Sequence, residues 1–182
     1  MLPAIRDAQG GERRLRLTTW LDGATWAEAP HRATDAPESL GRLLAQLDGA
    51  LAGFTHPGLA EPYLWDLALA ASLRGDVARI ADPARRSAVA DVLNRFADEI
   101  EPRLRHLPKQ AVHGDANDRN VLLDAEGRVC GLLDFGDMVE SWRVNELAVA
   151  ATYAALGADD PIEAVRPMLL AYCRATPVAE VE

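Results

Sequence analysis

His113-Gly114-Asp115-Ala116-Asn117-Asp118-Arg119-Asn120, followed fourteen residues after Asn120 by Asp134-Phe135-Gly136, is the stretch that decides the fold. Between its two halves, Val121-Leu122-Leu123, a turn containing Glu126-Gly127, and Val129 to Leu133 predict strand, turn and strand. A hairpin brings its ends together, so Asn120 and Asp134 are expected to face one position in space. Both offer hard oxygen donors of the kind Mg²⁺ prefers, and one carboxylate with one amide carbonyl suffices when phosphate oxygens and water complete the shell. Asp115 sits in the loop entering the hairpin, where its carboxylate can accept the proton of an attacking hydroxyl. That is a general-base role, worth about 10²- to 10⁴-fold in rate. Phosphoryl transfer asks for little more than positioned cations and an oriented acceptor.

The order His-x-Asp, four residues, Asn, then Asp-Phe-Gly matches the arrangement that kinases use for base and metal, except that Gly114 stands where protein kinases carry Arg. There the Arg pairs with a phosphorylated activation loop, so its absence predicts a small-molecule kinase. Val112 to Val121, Leu133 to Met138 and Asn145-Glu146-Leu147-Ala148-Val149-Ala150 together resemble the aminoglycoside phosphotransferase family. They resemble most closely its hydroxylysine kinase branch, including bacterial versions fused to a class III aminotransferase. Leu17-Thr18-Thr19-Trp20-Leu21-Asp22-Gly23 is similar to that family's hinge strand, and Trp65-Asp66-Leu67 to a helix start of this branch.

The resemblance implies an α+β fold: the mostly helical large lobe of a protein-kinase-like fold, with a catalytic β-hairpin and a remnant small-lobe strand. It implies ATP or GTP as phosphoryl donor, with the backbone of Thr19, Trp20 and Leu21 against the base, and a fused aminotransferase domain as a partner in the full-length protein. His113 is then a supporting residue that packs under the metal loop, and Glu146 replaces an Asp whose carboxylate holds the catalytic loop's backbone. Asp137 either touches the acceptor or a second metal, or serves as a plain hydrogen-bonding group. Trp142 either lines an acceptor pocket or packs beside a helix start, and Trp20, Trp26 and Trp65 carry the same ambiguity. Asp118 and Arg119 read as a solvated turn.

No G-x-G-x-x-G occurs, and the single lysine, Lys109, lies four residues before His113, so it is not the small-lobe lysine that grips a nucleotide. Arg14-Leu15-Arg16-Leu17-Thr18 alternates polar and apolar, which predicts a half-buried strand running on to Leu21. The expected organisation is therefore a remnant of the small lobe and hinge over 1–21 and a large lobe over 22–182, incomplete at its end.

Pro37 at a helix start precedes Leu40, Leu43, Leu44, Leu47 and Leu51, an apolar stripe at helical spacing. A second helical region is expected from Pro62 to Ile80 with Leu64, Leu67, Leu69 and Leu73 inward. Asp82-Pro83 opens a long helix with Val89, Val92, Leu93, Phe96, Ile100 and Leu104 as its stripe, kinked or ended by Pro102. Helices from Val144 to Leu156 and from Pro161 to Arg174 follow the hairpin.

A formal net charge of −9 in 182 residues argues against nucleic-acid binding and suits a cationic amine acceptor. Two cysteines give no disulfide framework; Cys130 and Cys173 are expected to be reduced, core or near-core, in a cytoplasmic protein. No apolar leader or stretch long enough to span a bilayer appears. The expected activity is Mg²⁺-dependent transfer of the γ-phosphoryl of ATP or GTP to a hydroxyl of a small amine-bearing metabolite, hydroxylysine or another amino alcohol. An aminoglycoside acceptor is the runner-up, and an inactive fragment that keeps the metal loop is the competing class.

Overall fold

The stripe after Pro37 becomes helix α1 (Ala36–Leu51), with the proline in the first turn where a missing N–H costs nothing. In the computed structural model, which describes residues 4–14 and 17–176, α1 lies against α5 (Pro161–Ala175) and touches α4 (Val144–Ala155). Its buried face is Leu40, Gly41, Leu44, Ala45 and Asp48, with Leu43, Leu47 and Leu51 half-buried along the edge. Gly41 sets how close the helices come: a Cβ there would overlap the carbonyl oxygen of Met168 on α5. Leu40, Leu44, Leu147, Val165, Met168 and Tyr172 share one core with Trp26, Val121 and Leu123. Inside it the Tyr172 hydroxyl donates to the Asp48 carboxylate. Gln110 Nε2 donates to the Asp48 backbone carbonyl at 3.0 Å and to its carboxylate Oδ1 at 3.4 Å, so this buried acid is not left bare.

The strands are short and lie in three antiparallel groups. β1 (Ala4–Arg6) pairs with β2 (Glu12–Arg14). β3 (Ala24–Thr25) and the hairpin strands β5 (Val121–Leu123) and β6 (Val129–Leu132) form a sheet in the order β3-β5-β6, while β4 (Lys109–Val112) pairs with β7 (Val139–Trp142). In the hairpin turn the Asp124 carboxylate accepts the N–H groups of Glu126 at 3.0 Å and Arg128 at 2.9 Å. Gly127 takes φ +76°, the left-handed conformation that such a turn assigns to glycine. The α+β class and the hairpin are thus as expected.

Three expectations fail. Residues 17–21 form no strand, and Leu17 is 95% exposed. Strand geometry is held by a ladder, and no strand among the described residues pairs with them; Leu15 and Arg16 fall outside the described residues.

The region after Pro62 is a 3₁₀ helix over Leu67–Arg79 with no buried residue, and Leu64, Leu67 and Leu69 are exposed. In α2 (Pro83–Arg95), Val89 and Val92 are exposed, as is Ile100 beyond it, while Leu93, Phe96 and Leu104 are only half-buried. These elements pack mainly on each other, so their apolar faces meet a thin layer and not the core. Ahead of Pro102 the helix widens into a π turn, Phe96–Ile100, before the short α3 (Glu101–Leu104).

Cys130 and Cys173 are free, but both are exposed. Among the described residues no helix is long and apolar enough to cross a membrane.

Candidate active site

Pairing of Val112 with Val139 brings the start of the His113 loop beside the segment that leaves Asp134. The loop is held from below. His113 and Gly114 donate their backbone N–H groups to Glu146 Oε2, at 2.6 and 3.1 Å. Glu146 lies in the first turn of α4 and is fully buried. Burial, with the nearby Asp48 charge adding, pushes its pKa up to about 7, against the pull of the two N–H donors. Its other oxygen, Oε1, is buried with no hydrogen-bond partner among the described residues. Gly114 sits at φ +77°, where a side chain would be strained.

His113 Nε2 lies 2.8 Å from the Leu133 carbonyl, and the Asp115 N–H donates to Nδ1 at 3.2 Å. A carbonyl only accepts and an amide N–H only donates, so the ring proton is on Nε2 and the imidazole is neutral. Burial keeps the pKa below the ordinary histidine value despite the Leu133 carbonyl and the surrounding carboxylates. The Phe135 ring meets it edge-on, centroids 4.8 Å apart. His113 therefore ties the Asp115 loop to the residues on either side of Asp134.

The Asp115 carboxylate accepts Asn117 Nδ2 at 2.7 Å and Asn120 Nδ2 at 2.9 Å, and the same Asn120 nitrogen reaches the Asp115 carbonyl at 2.8 Å. Asn117 Oδ1 in turn accepts the N–H groups of Arg119 and Asn120. With its nitrogen committed, Asn120 keeps Oδ1 as the atom able to bind a cation. Leu133 donates its N–H to the Asn120 carbonyl at 2.8 Å, which puts Asn120 and Asp134 one residue apart across the ladder. Asp134 adopts φ 58°, ψ 75°, a left-handed conformation that Asp tolerates better than most residues. Its Oδ1 accepts the Gly136 N–H at 3.1 Å.

One amide oxygen and one carboxylate match the protein share of a Mg²⁺ shell. No group of three or more His, Cys, Asp or Glu side chains suited to a metal ion occurs among the described residues.

Two cavities border the loop and the residues after the hairpin. A cleft of about 740 Å³ is lined by Thr19, Trp20, Leu21, Leu133, Asp134 and Phe135. A second cavity of about 470 Å³ is lined by Tyr63, Trp65, Asp115, Asp137, Val149 and Tyr153. The Tyr63 hydroxyl is pushed up to about 12, by burial first, then by a hydrogen bond to Asp137 and by the charges of Asp137, Asp115 and Asp134. Three carboxylates thus act on one hydroxyl.

Trp142 lines neither cavity. It is buried, with the Lys109 ammonium 5.1 Å from its ring centroid. Side chains alternate along a strand, so Trp142 lies on the face of β7 opposite Ser141, which bonds toward the second cavity's rim through Asp66.

Sequence reasoning did not single out Asn117, Tyr63 or Tyr153. Asn117 had a visible signal, an Asn in a turn between Asp115 and Asn120. Tyr63 reaches Asp137 only through the tertiary fold.

A model of the phosphotransferase enzyme family matches residues 2–180. The chain belongs to that family. This aminoglycoside phosphotransferase family member is 33% identical over 180 residues to hydroxylysine kinase of Mus musculus, covering 92% of this chain and 48% of the relative. It is 32% identical to hydroxylysine kinase of Bos taurus over the same shares. The chain therefore spans about half the length of the curated relatives it matches.

Among solved structures, it matches aminoglycoside phosphotransferase APH(3'')-Id from Streptomyces rimosus with TM-score 0.58 and 19% identity, covering 87% of this chain and 61% of that one. A macrolide 2'-phosphotransferase type I matches with TM-score 0.53 and 21% identity, over 87% of this chain and 54% of that one. These likenesses identify the fold as kinase-like.

Proposed function

We propose that this phosphotransferase uses Mg²⁺ to move the γ-phosphoryl of ATP or GTP to a hydroxyl of a small amine-bearing metabolite, hydroxylysine or a similar amino alcohol. The observation that carries the proposal is the pair of cavities, the first lined by Asp134 and the second by Asp115. In this scheme the nucleotide base lies against Thr19 to Leu21. Asn120 Oδ1 and the Asp134 carboxylate hold the cation, which when bound neutralises phosphate charge.

Asp115, fixed by the Asn117 and Asn120 amides, orients the acceptor hydroxyl and takes its proton. The acceptor oxygen forms a bond to the γ-phosphorus as the bond to the bridging oxygen breaks, giving a phosphate ester and the nucleoside diphosphate. Asp137 and the aromatic side chains of the second cavity suit a protonated amine near the reacting hydroxyl. The similarity to hydroxylysine kinases supports that acceptor class.

One observation favours a second reading, an inactive kinase fragment that keeps the metal loop but does not grip the nucleotide. Lys109, the sequence's single lysine, stacks over Trp142 and lines neither cavity. A panel of amino alcohols and aminoglycosides incubated with Mg-ATP separates the two. Ester formation on an amino alcohol supports transfer; no ester on any acceptor together with no measurable Mg-ATP binding supports the second reading.

A further inference from the structure

One wall of the second cavity is formed by Tyr63, Trp65 and Leu67, on the segment that leads into the first residue of the 3₁₀ helix. Trp65 is 77% exposed. The segment is fastened by a polar chain. Asp66 Oδ1 accepts the Ala68 N–H at 2.9 Å, capping the 3₁₀ helix, and also accepts the Ser141 hydroxyl at 2.6 Å across seventy-five residues of sequence. Ser141 Oγ then accepts Asn145 Nδ2 at 2.9 Å. Ser141 and Asn145 are buried.

Asn145 precedes Glu146, the residue that holds the backbone of the Asp115 loop. One turn of α4 thus holds both sides of the second cavity: the base through Glu146 and the aromatic wall through Asn145, Ser141 and Asp66.

We infer that Asp66, Ser141 and Asn145 are positioning residues for the acceptor, fixing Tyr63 and Trp65 at a set distance from Asp115. This rests on the proposed assignment of the second cavity to the acceptor. The chemistry of the chain dictates the variants. Asp66→Ala removes the acceptor for both the Ser141 hydroxyl and the Ala68 N–H. Asp66→Asn keeps a carbonyl oxygen that can serve both, so it restores the link without the charge. Ser141→Ala cuts the chain in its middle and leaves the Asp66 cap in place.

The test is a titration of the whole chain with 5-hydroxylysine, followed by NMR at the Trp65 indole, beside a titration with Mg-ADP and an assay of transfer from Mg-ATP. The expected result is a Trp65 shift that saturates with 5-hydroxylysine. Its dissociation constant rises at least fivefold in both Asp66→Ala and Ser141→Ala, returns to within twofold of the parent in Asp66→Asn, and Mg-ADP affinity stays constant throughout. Wild-type hydroxylysine affinity in both alanine variants overturns the inference, as does an Asp66→Asn variant as weak as Asp66→Ala. Phosphorylation of 5-hydroxylysine with an unmoved Trp65 also overturns the inference while leaving the kinase assignment standing. A shifting Trp65 with the stated variant pattern and no phosphoryl transfer supports the positioning chain and removes the kinase assignment instead.

Discussion

Glu146 is the residue on which the loop depends most directly, and its chemistry makes it testable. Its carboxyl is buried and its pKa is raised to about 7 from an ordinary value of 4.5. A carboxyl whose folded pKa is raised contributes stability that is full below the unfolded value and lost as pH climbs to the folded one. Wild-type stability should therefore fall, through this residue, between about pH 4.5 and pH 7. Glu146→Gln cannot ionise and keeps a carbonyl oxygen for the two N–H groups. Urea denaturation of both proteins across this window should show the difference between them changing by ~3 kcal/mol in favour of the glutamine variant at the upper end. Parallel pH curves would mean that the carboxyl titrates normally.

At the same scale, Gly136 lies against Asp134: a Cβ there would sit 3.0 Å from Oδ1. Gly136→Ala should raise the KM for Mg-ATP several-fold through a displaced carboxylate. Melting temperature should hardly move, because the site is exposed and such changes stay within about 0.5 kcal/mol. An unchanged KM would show that this carboxylate does not meet the metal-nucleotide.

Among the elements, the contact of α1 with α5 gives the sharpest prediction. A glycine inside a helix ordinarily costs about 1 kcal/mol relative to alanine, so Gly41→Ala gains from propensity. Against that stands overlap with the Met168 carbonyl, part of a packed helix backbone that cannot swing aside. Overpacking costs about 1–3 kcal/mol and more when backbone must move, so the steric effect wins and the variant should melt several degrees lower. A higher melting temperature would contradict the close approach.

The elements also show what the sequence made legible. The hairpin was readable because its turn chemistry is local: Asp124 and Gly127 act within five residues. α1, α4 and α5 were readable because each has a periodic apolar face against a real core. The same periodicity misled between Leu64 and Ile100, where apolar residues recur at helical spacing but face a layer too thin to bury them. The strand over 17–21 failed likewise, since alternation specifies a strand only when a partner strand pairs with it.

Over the whole molecule, the sequence brought Asn120 and Asp134 together because they are joined by one hairpin, and the structure links Asp115 to Asn120 by a direct hydrogen bond. It did not disclose the second cavity, because Tyr63, Asp137 and Tyr153 come from separate elements and meet only after the fold closes. Its overall charge of −9 is of one sign with the three carboxylates around Tyr63, as the proposed cationic acceptor would require.

The central claim is that Asp115 acts on an acceptor hydroxyl while Asn120 and Asp134 hold the metal-nucleotide. ³¹P NMR of Mg-ATP with 5-hydroxylysine tests it most directly, in the wild-type protein and in Asp115→Asn. A phosphate ester should grow in the first and form at least ~10²-fold more slowly in the second, with Mg-ATP binding unchanged. No ester from the wild-type protein, or equal rates in the two, would contradict the account.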